Sequence, residues 1–407
     1  MIVLSGADIV LPDRVLSPGT LVLSGEQIAD IAAGTRPSAG SERHLDLSGH
    51  LIVPGFIDVH VHGVEGTDTL DSEDAIRTIA DRLPRFGVTA FCPTSIACTP
   101  LVLRRLLTAI REARRRDAGR ISPSPQDDGL EITRGARVLP AHLESNFINP
   151  EFKGAQPLEC LRLPRGRSDG DFTGAEILSE IAAARAEVGI VTVAPELDGV
   201  LELIRDLVAN GHHVSLGHSG ASYEEAVAGI DAGARQATHL FNRMTPINHR
   251  QPGLAAAVLD HDAITAEVVC DGVHVHPAMV RLALASKHPS HIMAITDGTA
   301  GAGLPRGTRT TIGGRPITVG DIAALDDGTI AGSVLTMNQA FGKLVTTMGV
   351  GLVDAATICS STPARALGLQ GLGAIVPGAT ADLVVLDRTF NVTHTFIAGA
   401  LIHQKSA

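Results

Sequence analysis

The chemistry in this chain is signalled by histidines and acids that follow short apolar runs. Ile57 leads to Asp58, His60 and His62; Ala141 to His142 and Glu144; Leu216-Gly217 to His218; Thr238 to His239; Ile295-Thr296 to Asp297. His60 and His62 are two residues apart, so on a strand both side chains leave the same face. Two imidazoles on one face can coordinate one divalent ion at ~2.0–2.1 Å per bond. An isolated His-x-His is more often a polar pair on a solvated edge, but Glu144, His218 and His239 also close apolar runs, and together they favour a metal centre. Imidazole with carboxylate suits Zn2+ or Fe2+. Asp297 ends a run too apolar to solvate a carboxylate comfortably. It faces a cation or an active-site water, or it serves a turn or helix N-cap, since Gly298-Thr299 follows; spacing alone leaves both open.

The elements that carry these residues alternate. Helical spacing places Ile76, Ile79, Ala80, Leu83 and Phe86 on one face of a helix over 74–86, and Val200, Leu203, Ile204, Leu207 and Val208 on one face over 200–208. Between such helices lie short β-branched runs at 89–92, 138–142, 190–194, 213–217, 237–239, 265–269 and 292–296. Strand–helix alternation from about Pro54 to about Ile375 predicts a parallel sheet, and we expect a closed (β/α)8 barrel rather than an open doubly wound sheet. In such a barrel the C-terminal strand ends meet at one mouth, so residues far apart in sequence share a site. Neither a Gly-x-Gly-x-x-Gly fingerprint after an early strand nor a Gly-Lys-Ser/Thr phosphate loop is present, which disfavours a nucleotide fold. The ends read differently. Runs at 2–4, 8–11, 20–23 and 27–31, and again at 381–387, 392–396 and 400–403, are short strands broken by turns. Pairing residues 1–53 with 376–407 into one small β-sandwich would bury both sets, leaving 54–375 as the barrel. The Pro-, Gly- and Asp-rich stretches 117–134 and 163–173 read as loops.

The 407 residues are 44% apolar and 19% charged, enough to build a large core. A net charge of −11, with no basic run beyond Arg114-Arg115-Arg116, argues against nucleic acid or anionic membranes as partners. Arg111 to Arg116 reads as a solvated helix end. No apolar stretch is long enough to predict a membrane span, and Met1–Asp8 lacks the basic start of a signal peptide. Five scattered cysteines, none in a Cys-x-x-Cys pair, suit a reducing cytoplasm.

Pro54-Gly-Phe-Ile-Asp-Val-His-Val-His62 resembles the first-strand motif of the amidohydrolase superfamily, and the segment from Gly373 to Asp387 resembles its C-terminal return to a β-sandwich. Further motifs are similar to those of the N-acetylglucosamine-6-phosphate deacetylases. They are His142-Leu-Glu144, Ala194-Pro-Glu196, Gly217-His-Ser219, Thr238-His-Leu-Phe-Asn-Arg-Met244, Pro252-Gly-Leu-Ala255, Asp271-Gly-Val-His-Val-His276, Thr296-Asp297 and Ala331-Gly-Ser-Val-Leu-Thr-Met337, in family order over essentially the whole chain. The resemblance implies hydrolysis of the N-acetyl group of N-acetylglucosamine 6-phosphate by a metal-activated water. It implies Glu144, His218 and His239 as principal metal ligands, one or two ions per subunit with room for the second at His60 and His62 bridged by Glu144, and Asp297 as general base and acid. It also implies Asn242, the backbone at Arg243, and Arg250 at the sugar phosphate, with His274 reaching the phosphate from the neighbouring subunit of a homodimer. The scarce lysines (Lys153, Lys287, Lys343, Lys405) terminate no apolar strand run, so a carboxylated-lysine bridge is disfavoured against Glu144.

Three features depart from the family pattern. Ser145-Asn146 stands where Gly-Pro is usual, Gly63-Val-Glu-Gly66 replaces a Gly-rich run, and Gln156 occupies the place of a histidine set against the acetyl carbonyl. Glutamine still donates a hydrogen bond, never as a cation. These departures leave room for a related substrate, such as N-acetylgalactosamine 6-phosphate or an N-acyl amino acid, although Arg250 and His274 weigh toward a phosphate. A barrel relative kept only for binding is disfavoured, because the ligand set and the base are all present.

Overall fold

The computed structural model describes residues 1–37, 42–119, 135–166 and 170–405. Eight parallel strands form the central barrel: β1 (Phe56–Val61), β2 (Val88–Ser95), β3 (Ala141–Glu144), β4 (Val188–Val193), β5 (His213–Leu216), β6 (Gln236–Ala237), β7 (Thr265–Val269) and β8 (Ile292–Ile295). Neighbours pair in sequence order from β1 to β8. The seam between β8 and β1 is closed just beyond the strand ends. There Asp297 N donates to His60 O (3.1 Å), and His62 N and Gly63 N both donate to Gly298 O (2.9 Å).

Alternation along β1 sends Asp58 and His60 to the barrel interior, while Ile57, Val59 and Val61 join the apolar layer. Helices pack outside this sheet. The helix over Ala75–Arg82 buries Ile76, Ile79 and Ala80, and that over Val200–Ala209 buries Val200, Leu203, Ile204 and Leu207. The first is shorter than its apolar periodicity suggested. Pro84 interrupts it, and Leu83–Phe86 continues as a 3-10 turn ended by Gly87 at φ 81°.

The two chain ends share one eight-stranded sheet. The strand Leu383–Leu386 pairs antiparallel with Leu51–Pro54, Val385 lying opposite Ile52 and Val384 opposite Val53. Both strands are buried on both faces. Val53 and Val384 pack toward the barrel core, whereas Ile52, Leu383 and Val385 join Leu4, Ile9, Leu21 and Phe396 in a separate cluster. The two runs at 2–4 and 8–11 are one strand, Ile2–Val10; it passes through Ser5-Gly6 on irregular register, with Gly6 at φ 89°.

One element had no counterpart in the sequence reading. Arg309–Ile312, Arg315–Val319 and Ala323–Leu325 form a three-stranded antiparallel sheet, turned at Gly313-Gly314, where both residues have positive φ. Its small core of Ile312, Ile317, Ala323 and Leu325 rests on Ile96 and Ala331. Of the predicted loops, 163–173 is irregular where described. The long helix Pro100–Gly119 runs into the other, whose residues 120–134 lie outside the described set. The basic run is more than a solvated end, since Arg111 pairs with the buried Glu187 at 3.0 Å and Arg114 donates to Ala186 O. Among the described residues no helix is long and apolar enough to cross a membrane.

Candidate metal centre and active site

The strand ends deliver their polar residues to one mouth. Glu144, His218 and His239 end β3 or follow β5 and β6, and their donor atoms converge. Glu144 Oε1 is 2.6 Å from His218 Nε2 and 2.9 Å from His239 Nε2, and the two nitrogens are 3.0 Å apart. Beside them, His60 Nε2 and His62 Nε2 are 3.2 Å apart, with His62 3.5 Å from Glu144 Oε2. Asp297 Oδ1 stands 3.5 Å from His60 Nε2 and 3.4 Å from His62 Nε2. All six side chains are buried.

A tetrahedral ion with ~2.0 Å bonds spaces its ligands roughly 3.3 Å apart. Two groups here, Glu144–His218–His239 and His60–His62–Glu144, therefore have the donor types and the convergence of a divalent-metal shell. The rings are also oriented. His218 presents Nε2 because its Nδ1 donates to Phe152 O (2.8 Å), and His60 presents Nε2 because its Nδ1 meets Glu267 Oε2 (3.1 Å). His142, by contrast, holds Val59 O with Nδ1 (2.9 Å) and Thr192 Oγ1 with Nε2 (2.8 Å), so it has no nitrogen left for an ion.

The electrostatics fit a centre built for positive charge. Burial opposes ionisation of Glu144, yet His218, His239 and His62 hold its carboxyl well below the usual range. Burial likewise raises Asp297, but His60 and His62 outweigh it and keep the carboxyl low. Burial depresses His60 to about 4, so it is neutral, as a ligand must be. Burial also acts against a charged His62, but Asp297 and Glu144 push it up to about 10, so in the metal-free chain a proton there balances the two carboxylates.

The backbone is strained where it turns these groups inward. His218 (φ 48°), His239 (31°), Phe241 (75°), Arg243 (51°) and Asp297 (48°) all sit at positive φ without being glycine. Such residues cost on the order of 1–3 kcal/mol each and cluster at functional sites. Gly332, at φ 65°, lies flat against the base. A Cβ there would stand 2.8 Å from Asp297 O and 3.3 Å from its Oδ1.

A cavity of about 420 Å³ opens over the cluster. Asn242, Arg243 and His274 line it, as do Gln156, Ile96, Ile312 and Ile330. Asn242 Nδ2 donates to His239 O (3.2 Å), and the Arg243 side chain lies across Gly154. Gln156 is buried. One N–H goes to Glu144 Oε2, and its Oε1 accepts from Ala97 N (2.7 Å). Its first task is thus to hold Glu144, and one amide hydrogen is left over. His274 Nδ1 is 2.5 Å from Asp271 Oδ2, and its buried Nε2 has no hydrogen-bond partner. The ring lines the pocket of its own chain. Residues 246–251 are all exposed, and Arg250 is not among the residues lining the cavity of its own chain.

Two participants escaped the sequence reading. Glu267 is a lone acid in the run Thr-Ala-Glu-Val-Val of β7, fully buried behind His60, where burial pushes its carboxyl up to about 7. The inserted sheet supplies Ile312 to the cavity wall, and Arg315 ties it down by donating to Ala155 O. The turn signal Ile312-Gly-Gly-Arg315 was the available clue to it.

The amidohydrolase family model matches residues 51–402. This chain belongs to the amidohydrolase family. It is 34% identical to the N-acetylglucosamine-6-phosphate deacetylase of Rattus norvegicus, over 96% of this chain and 90% of that protein. It is 32% identical to the Bacillus subtilis (strain 168) protein of the same name, over 96% and 94%. It is 34% identical to an N-acetylgalactosamine-6-phosphate deacetylase of Escherichia coli O157:H7, over 92% and 93%. The solved structure of a mutant Mycobacterium smegmatis N-acetyl-D-glucosamine-6-phosphate deacetylase, in complex with N-acetyl-D-glucosamine-6-phosphate, superposes with a TM-score of 0.85 at 32% identity, covering 98% of this chain and 99% of that one. Within the amidohydrolases the chain groups with these hexosamine-phosphate deacetylases, and it is a hydrolase.

Proposed function

We propose that this chain hydrolyses the N-acetyl group of N-acetylglucosamine 6-phosphate, giving glucosamine 6-phosphate and acetate. The observation that carries the reading is the position of Asp297, whose carboxylate faces His60 and His62 at 3.4–3.5 Å in one cavity with Glu144, His218 and His239. Glu144, His218 and His239 would hold a divalent ion, Zn2+ before Fe2+, and His60, His62 and Glu144 could hold a second. Bound there, such an ion supplies Lewis acidity and brings a water's pKa toward ~7.

The remaining work falls to the protein. Asp297 accepts the proton of the attacking water as the new C–O bond forms at the amide carbon. It returns that proton to the nitrogen as the C–N bond breaks, since the free amine is otherwise too basic to leave. The spare N–H of Gln156 meets the carbonyl oxygen as negative charge gathers there. Asn242, the backbone at Arg243 and the unpartnered Nε2 of His274 take the phosphate end, using remote contacts to hold the amide in place. A homodimer is supported by the exposed apolar Ile247 and Val273, with Arg250, three residues after Ile247, placed to meet a second copy. Five buried free thiols support a cytoplasmic setting.

The equal identity to a galactosamine-type relative favours a second reading, the C4 epimer as substrate. The test is amine release from both sugar phosphates by zinc-loaded protein. Higher kcat/KM on N-acetylglucosamine 6-phosphate is expected; preference for the epimer installs the second reading, and no release from either removes both.

A further inference from the structure

A carboxylate stands on β7 where packing has no use for one. Glu267 lies between Ala266 and Val268, completely buried. Its Oε2 accepts from His60 Nδ1 at 3.1 Å and from the backbone N of His239 at 3.4 Å, while Oε1 has no hydrogen-bond partner. The nearest nitrogen to Oε1 among the described contacts is His142 Nδ1, at 3.7 Å. His60, His142 and Glu267 are close enough together to suggest an ion of their own. Both nitrogens of His142 are already spent on Val59 O and Thr192 Oγ1, so that trio is not an ion site.

What Glu267 does control is one ring. An imidazole that donates from Nδ1 must present its lone pair at Nε2, and a carboxylate behind the ring makes that lone pair more basic. His60 Nε2 is the atom that faces His62, Glu144 and Asp297. His60 has a carboxylate hydrogen-bonded behind its ring, and neither His218 nor His239 does. His218 has a backbone carbonyl there, and His239 Nδ1 has no partner. We propose that Glu267 is a positioning residue that fixes the tautomer and orientation of His60, and thereby creates the second ion position at His60 and His62. The inference rests on the metal-centre reading given above and deepens it: the ion count of this chain is set from behind the ligands.

The test is zinc binding by full-length protein stripped with chelator, followed by calorimetry and elemental analysis, with the apo melting temperature as a check on folding. Wild type is expected to take two ions per chain. Glu267→Gln keeps the side chain's volume but not its charge; it should bind the first ion as wild type does and the second 10–100-fold more weakly. Glu267→Asp, which keeps the charge and withdraws it from His60, should lose the second ion similarly and serves if the glutamine variant does not fold. In a His60→Asn background, Glu267→Gln should change zinc affinity no further. A purely structural role would instead weaken both ions together. An unchanged second ion in the variants, equal weakening of both, or a single ion in wild type overturns the proposal while leaving the one-ion enzyme intact. Wild type that binds no zinc overturns the functional reading itself.

Discussion

Replacing Asp297 by asparagine separates proton transfer from everything else the site does. The backbone of this residue is fixed at both ends, by Asp297 N on His60 O at 3.1 Å and by Ser333 N on Asp297 O at 2.7 Å. Asparagine is nearly isosteric, so it occupies the same place and removes only a charge and a proton acceptor. Glu144, His218 and His239 approach one another without help from Asp297, at 2.6–3.0 Å, so the first ion should stay. A positioned general acid or base is typically worth 10²–10⁴-fold. One carboxyl serves both halves of this reaction, and the two contributions do not simply multiply. A loss of about 10⁴-fold in kcat follows, or ~5.5 kcal/mol at 1.36 kcal/mol per decade. KM should move less than about threefold, because the phosphate contacts lie elsewhere. Amine release on N-acetylglucosamine 6-phosphate, with zinc content measured on the same sample, checks it. Turnover within tenfold of wild type would refute the reasoning, as would a loss that tracks missing zinc and returns when zinc is added.

Gly332→Ala should injure catalysis without removing any polar group. Its Cβ would meet Asp297 O and Thr299 Cγ2 at 2.8 Å, in a left-handed backbone, so Asp297 must shift. About 10²-fold in kcat and on the order of 1–3 kcal/mol of stability are expected to go; steady-state kinetics and thermal melts read both, and a fully active variant would refute the contact. Asp387 gives a pH signature far from the site. Burial raises its carboxyl, but hydrogen bonds from Thr389 and Asn391 together outweigh it and bring it down to about 2. A depressed folded-state pKa contributes stability that is complete above about pH 4 and is lost as pH falls toward 2. Allowing for solvent screening, Asp387→Asn should therefore cost ~1 kcal/mol at pH 7, and that gap should narrow by pH 3 in urea unfolding. A gap independent of pH would refute it.

The barrel was legible because its two signals are local. Apolar runs of four to six residues mark strands, and a polar residue just past each one marks the mouth, so His60, His62, Glu144, His218, His239 and Asp297 could be gathered on one site before any coordinates. What stayed hidden depended on direction or on contacts distant in sequence. Arg250 matched a motif, but no periodicity says which way a loop side chain points, and on this chain alone its loop is exposed. Gln156 was read as a donor toward the acyl carbonyl, whereas one of its N–H groups goes to Glu144, twelve residues earlier, across the folded 3-10 turns around Phe152 and Cys160. Glu267 has no neighbour in sequence to reveal it, since a single acid in a strand reads as solvent-facing until the sheet is known to be covered on both sides.

The seam that closes the barrel also builds its reactive half. His60 comes from β1, His62 from just past it and Asp297 from just past β8, the first and last strands of the barrel, so their mutual distances depend on how those strands are joined. That join is dense. Asp297 N is on His60 O, His62 N and Gly63 N are on Gly298 O, and the buried Asp58 accepts from Thr296 Oγ1 at 2.6 Å and from Thr296 N at 3.3 Å. A slip of one residue in β1 would turn His60 and His62 toward the helices and Ile57, Val59 and Val61 into the mouth. Burial of those three apolar side chains opposes the slip at ~25 cal/mol per Å². The strained φ of Asp297 persists under the same constraint, because its amide and carbonyl are both held while its side chain must face the imidazoles. The packing that forms the core therefore sets the register of the first-strand histidines against the base, which is why the site tolerates strained backbone at several of its strand ends.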